Sequence, residues 1–271
     1  MSLKKTDYVE LQVSSNFSFL YGASHPEELV RQAHSLGYSA IAITDRHTLA
    51  GMVRAHVAAK EHGISLVVGT RIDPITNPPT NTSPDLTSTL PPLLLYPTNR
   101  AAYGRLSKLL TRGKTSAPKG ECYLTHEDIL EQQQDLFCTI IANHHPAATL
   151  EATIASLLRG FSSHHLSLSI SRRYGPDDNR YIEQAHLLSQ RYDIPLVAVN
   201  DVHYHIHERR MLQDILVCIR SGVTIDQAGY RLFPNGERHL KPPPEMRRLF
   251  RDLPRAIFRS KEIAEAVSSF S

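Results

Sequence analysis

Two side chains that could bind a metal ion, Asp201 and His203, follow a short apolar segment at residues 196–199. That segment is rich in β-branched residues, which predicts a strand buried on both faces. Because the two residues are two positions apart, their side chains point the same way in an extended backbone. A carboxylate and an imidazole both suit a divalent cation. Alternatively, Asp201 caps the following helix and His203 forms hydrogen bonds within a loop.

Predicted strands and helices alternate along the chain, and this alternation would bring such side chains to one edge of a sheet. A strand at residues 8–13 precedes a helix that Ser24 caps and Gly37 ends, and a second helix ends at Gly63. Glycine at these points is typical of a helix terminus with a left-handed backbone. Short connections between the elements indicate parallel strands, and their repetition favours an α/β barrel. In such barrels functional residues collect at the carboxyl ends of the strands.

Composition excludes several classes of protein. The chain has 271 residues, 41% of them hydrophobic, and a net charge of +3, which is compatible with nucleic acid but not diagnostic. Scattered cysteines without a paired motif fit a reduced, cytoplasmic setting; they are Cys122, Cys138 and Cys218. No apolar run is long enough to span a membrane, and no glycine-rich loop indicates a nucleotide cofactor. Residues 73–92 are rich in proline, threonine and serine and predict a long exposed loop.

Several segments resemble the PHP (polymerase and histidinol phosphatase) domain, in particular the one that begins bacterial C-family DNA polymerases. The segments that carry this resemblance are residues 16–29, 40–45, 49–53, 99–112 and 200–203. Residues 53–60, 212–216 and 228–240 are most similar to the error-prone, translesion branch of these polymerases. The resemblance covers roughly residues 8–267. It implies a single domain with the PHP fold, a distorted (β/α)7 TIM-like barrel.

The resemblance also implies a cluster of up to three divalent metals, and most of its ligands are replaced here. The family's ligand positions that carry other residues are Gln12, Ser14, Tyr21, Arg46 and Arg71. Only Asp201 and His203 match the family's ligands cleanly; Asp45 remains from its Thr-Asp-His motif, and His144 matches loosely. These four residues would be the remnant of the metal site. We therefore expect a degenerate site with no catalytic residue and no cofactor.

Two of the substitutions, Arg46 and Arg71, introduce arginine. A guanidinium has no lone pair for a metal, but its positive charge can replace that of a cation. Without metals, Asp45 and Asp201 would face each other uncompensated. We expect Arg46 and Arg71 to neutralise them, or Asp73, in a network of ion pairs. Alternatively, both arginines point to solvent.

Two functions from different classes follow from the resemblance. The first is a non-catalytic structural and interaction module in DNA replication and damage-tolerant repair synthesis. Its partner would be the polymerase core, in cis or in trans, because the palm, fingers and thumb are expected to lie outside this chain. The alternative is a metal-dependent phosphoesterase or 3′–5′ exonuclease with an altered cluster that binds Zn²⁺ or Mn²⁺.

A third set of residues could contact DNA or a protein partner. Arg247, Arg248 and Arg251 lie on or beside a predicted terminal helix, and their charge suits a phosphate backbone or an acidic surface. The alternative is an ordinary solvated helix face.

Overall fold

The computed structural model describes residues 8–77 and 90–267, which include every candidate site residue named above. Its strands are β1 (Ala40–Ile43), β2 (Ser65–Val68), β3 (Thr70–Ile72), β4 (Leu93–Pro97), β5 (Leu136–Ile141), β6 (Leu166–Ile170) and β7 (Leu196–Ala198). Its α-helices are α1 (Pro26–Ser35), α2 (Met52–His62), α3 (Arg100–Thr115), α4 (His126–Glu131), α5 (Ala147–Leu157), α6 (Asp178–Tyr192), α7 (Arg210–Ser221), α8 (Ile225–Ala228), α9 (Pro243–Leu249) and α10 (Pro254–Val267). Short 3-10 turns cover Ser163–His165, His207–Arg209 and Gly229–Arg231. Much of the predicted loop at 73–92 lies outside the described residues.

The strands form a distorted barrel, as the sequence predicts. β1 and β2 are parallel, and β3 to β7 form a second sheet in chain order. The segment before α1 joins the two sheets through parallel bridges from Glu10 to Ile41 and from Val13 to Val202. β4 runs antiparallel to both β3 and β5, whereas β5, β6 and β7 are parallel. The parallel direction that the sequence indicates is confirmed for β1 with β2 and for β5 to β7, and it is wrong for β4.

The first predicted strand, residues 8–13, is an extended segment with isolated bridges and no continuous ladder. In this segment the buried carboxylate of Glu10 accepts hydrogen bonds in place of the backbone carbonyls of a neighbouring strand. It accepts hydrogen bonds from the Gln12 amide at 3.0 Å, the Asn200 amide at 2.9 Å and the Tyr8 hydroxyl at 2.5 Å. Burial raises the pKa of Glu10 to about 7, although these donors favour the ionised form.

Alternating side chains divide the core into two layers. Ile41 and Ile43 point outward to helices α1 and α2, whereas Ala40 and Ala42 point into the barrel. Ile263 of α10 packs with the interior layer. Among the described residues, no helix has both the length and the apolar character needed to cross a bilayer.

Helices α1 and α2 both end beside a glycine, as the sequence predicts. Gly37 and Gly63 follow α1 and α2 with φ of 81° and 69°. The predicted cap of α1 is wrong by one residue, because His25 occupies the N-cap position. The Ser24 hydroxyl instead lies 2.7 Å from Nδ1 of His205 and connects the helix to the chain after β7.

Replacing Gly63 with valine is expected to destabilise the protein by about 1 kcal/mol or more, since a β-branched residue is strained at positive φ. A Cβ there would meet no neighbouring group within 4 Å among the described residues, so crowding adds nothing. Gly104→Ala, inside α3 and equally open, is the matched control and should be neutral or stabilising. Chemical denaturation measures the free energy of unfolding of both variants. Equal losses of stability would contradict the argument from backbone strain at Gly63.

Candidate metal-site remnant

Asp201 forms the centre of a buried polar cluster at the end of β7. Its side chain is only 14% exposed, and its backbone is left-handed with φ of 52°. Oδ2 accepts a hydrogen bond from Nη1 of Arg173 at 2.8 Å and another from Nη1 of Arg238. Oδ1 accepts from the side-chain amide of Gln12 at 2.7 Å. The carboxylate is therefore neutralised by two guanidinium groups and an amide.

His203 lies beside Asp201, but the left-handed backbone of Asp201 means that the extended segment assumed in the prediction is not present. Its Nε2 is 3.4 Å from Oδ1 of Asp201 and 3.3 Å from Nη1 of Arg238. Its Nδ1 is 2.8 Å from the carbonyl of Tyr21, which can only accept, so Nδ1 carries the proton. Burial lowers the pKa of His203 to about 3, and surrounding arginines add to this effect. The ring is neutral, with the lone pair of Nε2 directed at a guanidinium.

Of the two alternative local roles, a helix cap by Asp201 is not found, whereas a hydrogen bond of His203 within a loop is found. The 3-10 turn after the site begins at Ile206, which is its N-cap, so Asp201 caps no helix. His203 does form a hydrogen bond to a loop carbonyl, but its second nitrogen faces the charged cluster.

A second charged cluster surrounds Asp73, at the end of β3. Arg71 donates from Nε to Oδ1 of Asp73 at 2.7 Å, and Arg46 forms an ion pair with Oδ2. Arg46 also donates to the Tyr21 hydroxyl, and its guanidinium lies 4.7 Å from the centre of that ring. Burial pushes the pKa of Asp73 upward, but Arg71 and Arg46 outweigh burial and hold that pKa below its ordinary value.

The partners of Asp45 and Asp201 differ from the expected ones. Asp45 is fully buried and accepts three hydrogen bonds of 2.7 Å, from the amide and hydroxyl of Ser15 and from the hydroxyl of Ser18. Burial raises the pKa of Asp45, and these hydrogen bonds oppose that effect. Neither carboxylate pairs with Arg46 or Arg71, because both arginines face Asp73 across the adjacent bridge between residues 46 and 71.

The remaining candidates lie around the same end of the barrel. Nε2 of His144 is 3.0 Å from Nη2 of Arg173, and His144 has a left-handed backbone with φ of 67°. Ser14 is buried, and its amide donates to the carbonyl of Val202 at 2.8 Å. Tyr21 supplies the carbonyl that orients His203. The structure thus gathers the remnant residues and the replaced positions into one region.

Sequence reasoning did not identify two partners of Asp201, which are Arg173 and Arg238. The resemblance implies a histidine ligand near Arg173 or Tyr174, so the absence of histidine there was the available signal. Arg238 lies in the segment that resembles the error-prone branch, but nothing local indicates that it reaches Asp201, 37 residues away.

The residues present do not fit a metal cluster. No group of three or more histidine, cysteine, aspartate or glutamate side chains able to hold a metal ion occurs within residues 8–77 and 90–267. The carboxylates at the site are already neutralised by arginine or bonded to serine, and the imidazoles of His144 and His203 each present Nε2 to a guanidinium. A divalent cation would have to displace buried positive charge.

The three terminal arginines lie on and just after α9, and all are exposed. Arg248 is paired with Glu245 at 2.7 Å and donates to the Tyr174 hydroxyl at 2.8 Å. Contact of Arg247, Arg248 and Arg251 with nucleic acid or a partner stays a prediction.

Comparison with known proteins places these observations in a family context. Residues 10–186 match the PHP domain family. The error-prone DNA polymerase of Caulobacter vibrioides is 43% identical over 263 residues, which is 96% of this chain and 23% of that protein. Error-prone DNA polymerase 1 of Agrobacterium fabrum is 40% identical over 258 residues, 95% of this chain and 22% of the relative. The chain therefore spans less than a quarter of the relatives' length.

A solved structure with the same fold is the amidohydrolase from Chromobacterium violaceum, determined with bound sulfate and no metal. It aligns with a TM-score of 0.54 at 13% identity, over 72% of this chain and 87% of that chain. At this identity the likeness shows the fold alone.

Proposed function

Because this chain belongs to the PHP domain family, we propose that it is a non-catalytic structural and interaction module of an error-prone DNA polymerase. Such a polymerase acts in replication and damage-tolerant repair synthesis. The observation that carries the proposal is the pairing of Asp201 with Arg173 and Arg238, where the resemblance predicts a metal ligand. Guanidinium groups supply the positive charge that metals would supply, but they cannot activate a water molecule.

The alternative, a phosphoesterase or 3′–5′ exonuclease with Zn²⁺ or Mn²⁺, has less support. It would need the Nε2 lone pairs of His203 and His144 for a metal, and both are directed at arginine nitrogens. Releasing them would require two buried guanidinium groups to leave the carboxylate of Asp201, at a cost of several kcal/mol.

An apolar surface supports a role in interaction with the polymerase core. Met211, Ile215 and Ile219 are spaced four residues apart on α7, and all three are exposed. Ile225 and Tyr230, just beyond the helix, are exposed as well. Contiguous apolar surface of this kind marks protein contacts. The curated relatives are four times longer than this chain, so a polymerase core in cis or in trans is the partner that we propose.

Purified protein is expected to contain well under one tightly bound divalent ion per chain, because the site already holds compensating cations. Elemental analysis measures the ion content. A 3′-labelled single-stranded oligonucleotide should lose no nucleotide when Mn²⁺ or Zn²⁺ is added. Two or three ions per chain, with nuclease turnover that His203→Ala abolishes, would overturn the proposal in favour of the phosphoesterase.

A further inference from the structure

Two histidine rings meet at the opposite end of the barrel from the Asp201 cluster. His34 lies in the last turn of α1, and His62 is the final residue of α2. Each helix leads into the amino-terminal end of a strand, β1 or β2, and these two strands are parallel. Asp45 and Asp201 instead follow the carboxyl ends of β1 and β7. The histidine pair is therefore separate from the positions at which the family binds its metal cluster.

The spacing of the two rings suits a shared metal ion. Their centroids are 5.3 Å apart, with 31° between the ring planes. An ion bound at about 2.0–2.1 Å from an imidazole nitrogen lies about 3.2 Å from the ring centre, so two imidazoles at a tetrahedral angle have centres about 5.2 Å apart. Histidine rings turn readily about the bond that joins them to Cβ, which lets a nitrogen of each ring face a common ion.

Both rings are free to bind an ion. Neither imidazole forms a hydrogen bond or an ion pair with a residue in the ranges 8–77 and 90–267. Histidines in two other neighbouring pairs differ, because Nδ1 of His165 is 2.8 Å from the Ser162 hydroxyl and Nδ1 of His239 is 3.0 Å from the carbonyl of Gly236. The ring nitrogens of His34 and His62 have no such competing partner.

The helices hold the two histidines on a rigid base and in a favourable field. Buried residues of α1 and α2, among them Leu29 and Ala55, belong to one apolar cluster that fixes the helices against each other. Both histidines lie at helix carboxyl ends, where the backbone carbonyls carry negative partial charge and favour a cation. Arg31, one turn before His34 on α1, opposes this effect in part.

We propose that His34 and His62 together bind one transition-metal ion of the class that prefers imidazole, such as Zn²⁺ or Cu²⁺. Water fills the remaining coordination positions. The bound ion links the ends of α1 and α2 and so stabilises the folded protein. With only two protein ligands, the site holds its ion more loosely than a four-ligand structural site, so purified protein need not retain it. The site is independent of the proposed non-catalytic role, because it lies at the other end of the barrel.

The test uses Cu²⁺ held by nitrilotriacetate, a chelator that leaves adjacent coordination positions open and therefore selects paired imidazoles. Titration calorimetry measures the affinity, and electron paramagnetic resonance detects the coordinated nitrogens. His34→Gln and His62→Gln, each alone, should weaken binding about tenfold or more, because either change destroys the chelate. The matched control is His164→Gln/His165→Gln, which removes a histidine pair with ring centres 5.7 Å apart and should leave the affinity unchanged.

A second measurement examines the link between the helices. Added Zn²⁺ should raise the urea midpoint of the wild type, and this rise should be absent from both single variants, whose midpoints without metal should match the wild type. Unchanged Cu²⁺ affinity in either single variant, or an equal loss in the His164/His165 control, would overturn the proposal. Undiminished binding of the ion by the double variant His34→Gln/His62→Gln would assign it to other histidines and also overturn the proposal.

Discussion

Replacing Asp201 with asparagine is expected to lower the free energy of unfolding by about 3–5 kcal/mol, the usual cost of breaking a buried ion pair. The substitution leaves Arg173 and Arg238 close together with no carboxylate between them. Asparagine tolerates the left-handed backbone at this position, so strain adds little to the loss. Urea denaturation of wild type and variant measures the difference.

The matched control is Asp252→Asn. Asp252 forms a two-pronged pair with a single arginine, Arg172, at 2.6 Å for both contacts, and its side chain is 54% exposed. Exposed pairs typically contribute about 1 kcal/mol or less. Similar losses at residues 201 and 252 would show that the Asp201 cluster behaves like a surface ion pair.

A second substitution separates ion pairing from simple packing. Adding Arg238→Gln to Asp201→Asn should restore part of the stability, because it removes one of the two uncompensated cations. The coupling between neighbouring residues is the quantity that a double-mutant cycle measures. If the two losses simply add, Arg238 does not stabilise the protein through Asp201.

Local patterns in the sequence were sufficient to predict the barrel and the carboxyl-terminal ends of α1 and α2, but not the amino-terminal cap of α1. Gly63 ends α2 with the expected left-handed backbone, since that signal depends only on the residues next to it. The family's fold is likewise recognised from short segments. The charge partners could not be obtained this way, because Arg173 and Arg238 lie 28 and 37 positions from Asp201. Such contacts depend on how the loops at the strand ends fold over the barrel.

The ion pairs of Arg46 and Arg71 with Asp73 illustrate the same limit of local sequence patterns. Their residue types indicate that positive charge replaces metal, but not which carboxylate receives it. In the structure both arginines pair with Asp73, which lies two residues after Arg71 at the end of β3. Asp45, although adjacent to Arg46 in sequence, turns inward to Ser15 and Ser18. Neighbouring residues on a strand point to opposite faces, so sequence adjacency favours the wrong pair.

Acid is expected to destabilise the protein through His203. Its folded-state pKa is about 3, well below the ordinary value of 6.5, because the ring is buried among arginines. Between about pH 3 and pH 6.5 the unfolded state therefore binds a proton at His203 that the folded state does not bind. The resulting stability is fully present above pH 6.5 and is lost as the pH falls, by about 1.4 kcal/mol per pH unit within this window.

Glu10 has the opposite effect on the pH dependence of stability, and its contribution must be separated from that of His203. Burial raises the pKa of Glu10 to about 7 from an ordinary 4.5, so its contribution to stability is greatest below pH 4.5 and is lost as the pH rises through 7. In the wild-type protein the two effects partly cancel between pH 4.5 and 6.5. A flat pH profile for the wild type would therefore not exclude a role for either group.

The informative quantity is the difference between the wild type and His203→Gln, followed by urea denaturation at pH 7.5, 5.5 and 4.5. Glutamine can still donate to the Tyr21 carbonyl, but it does not titrate. At pH 7.5 the variant should be the less stable protein, because it loses the packing of the ring against Phe233. The gap should narrow or reverse on acidification, with a slope of about 1.4 kcal/mol per pH unit below 6.5. Parallel pH profiles would mean that His203 binds a proton equally well in the folded and unfolded states, and a gap that widens on acidification would mean that His203 is paired with Asp201 as a cation. Either result would contradict the lowered pKa of His203.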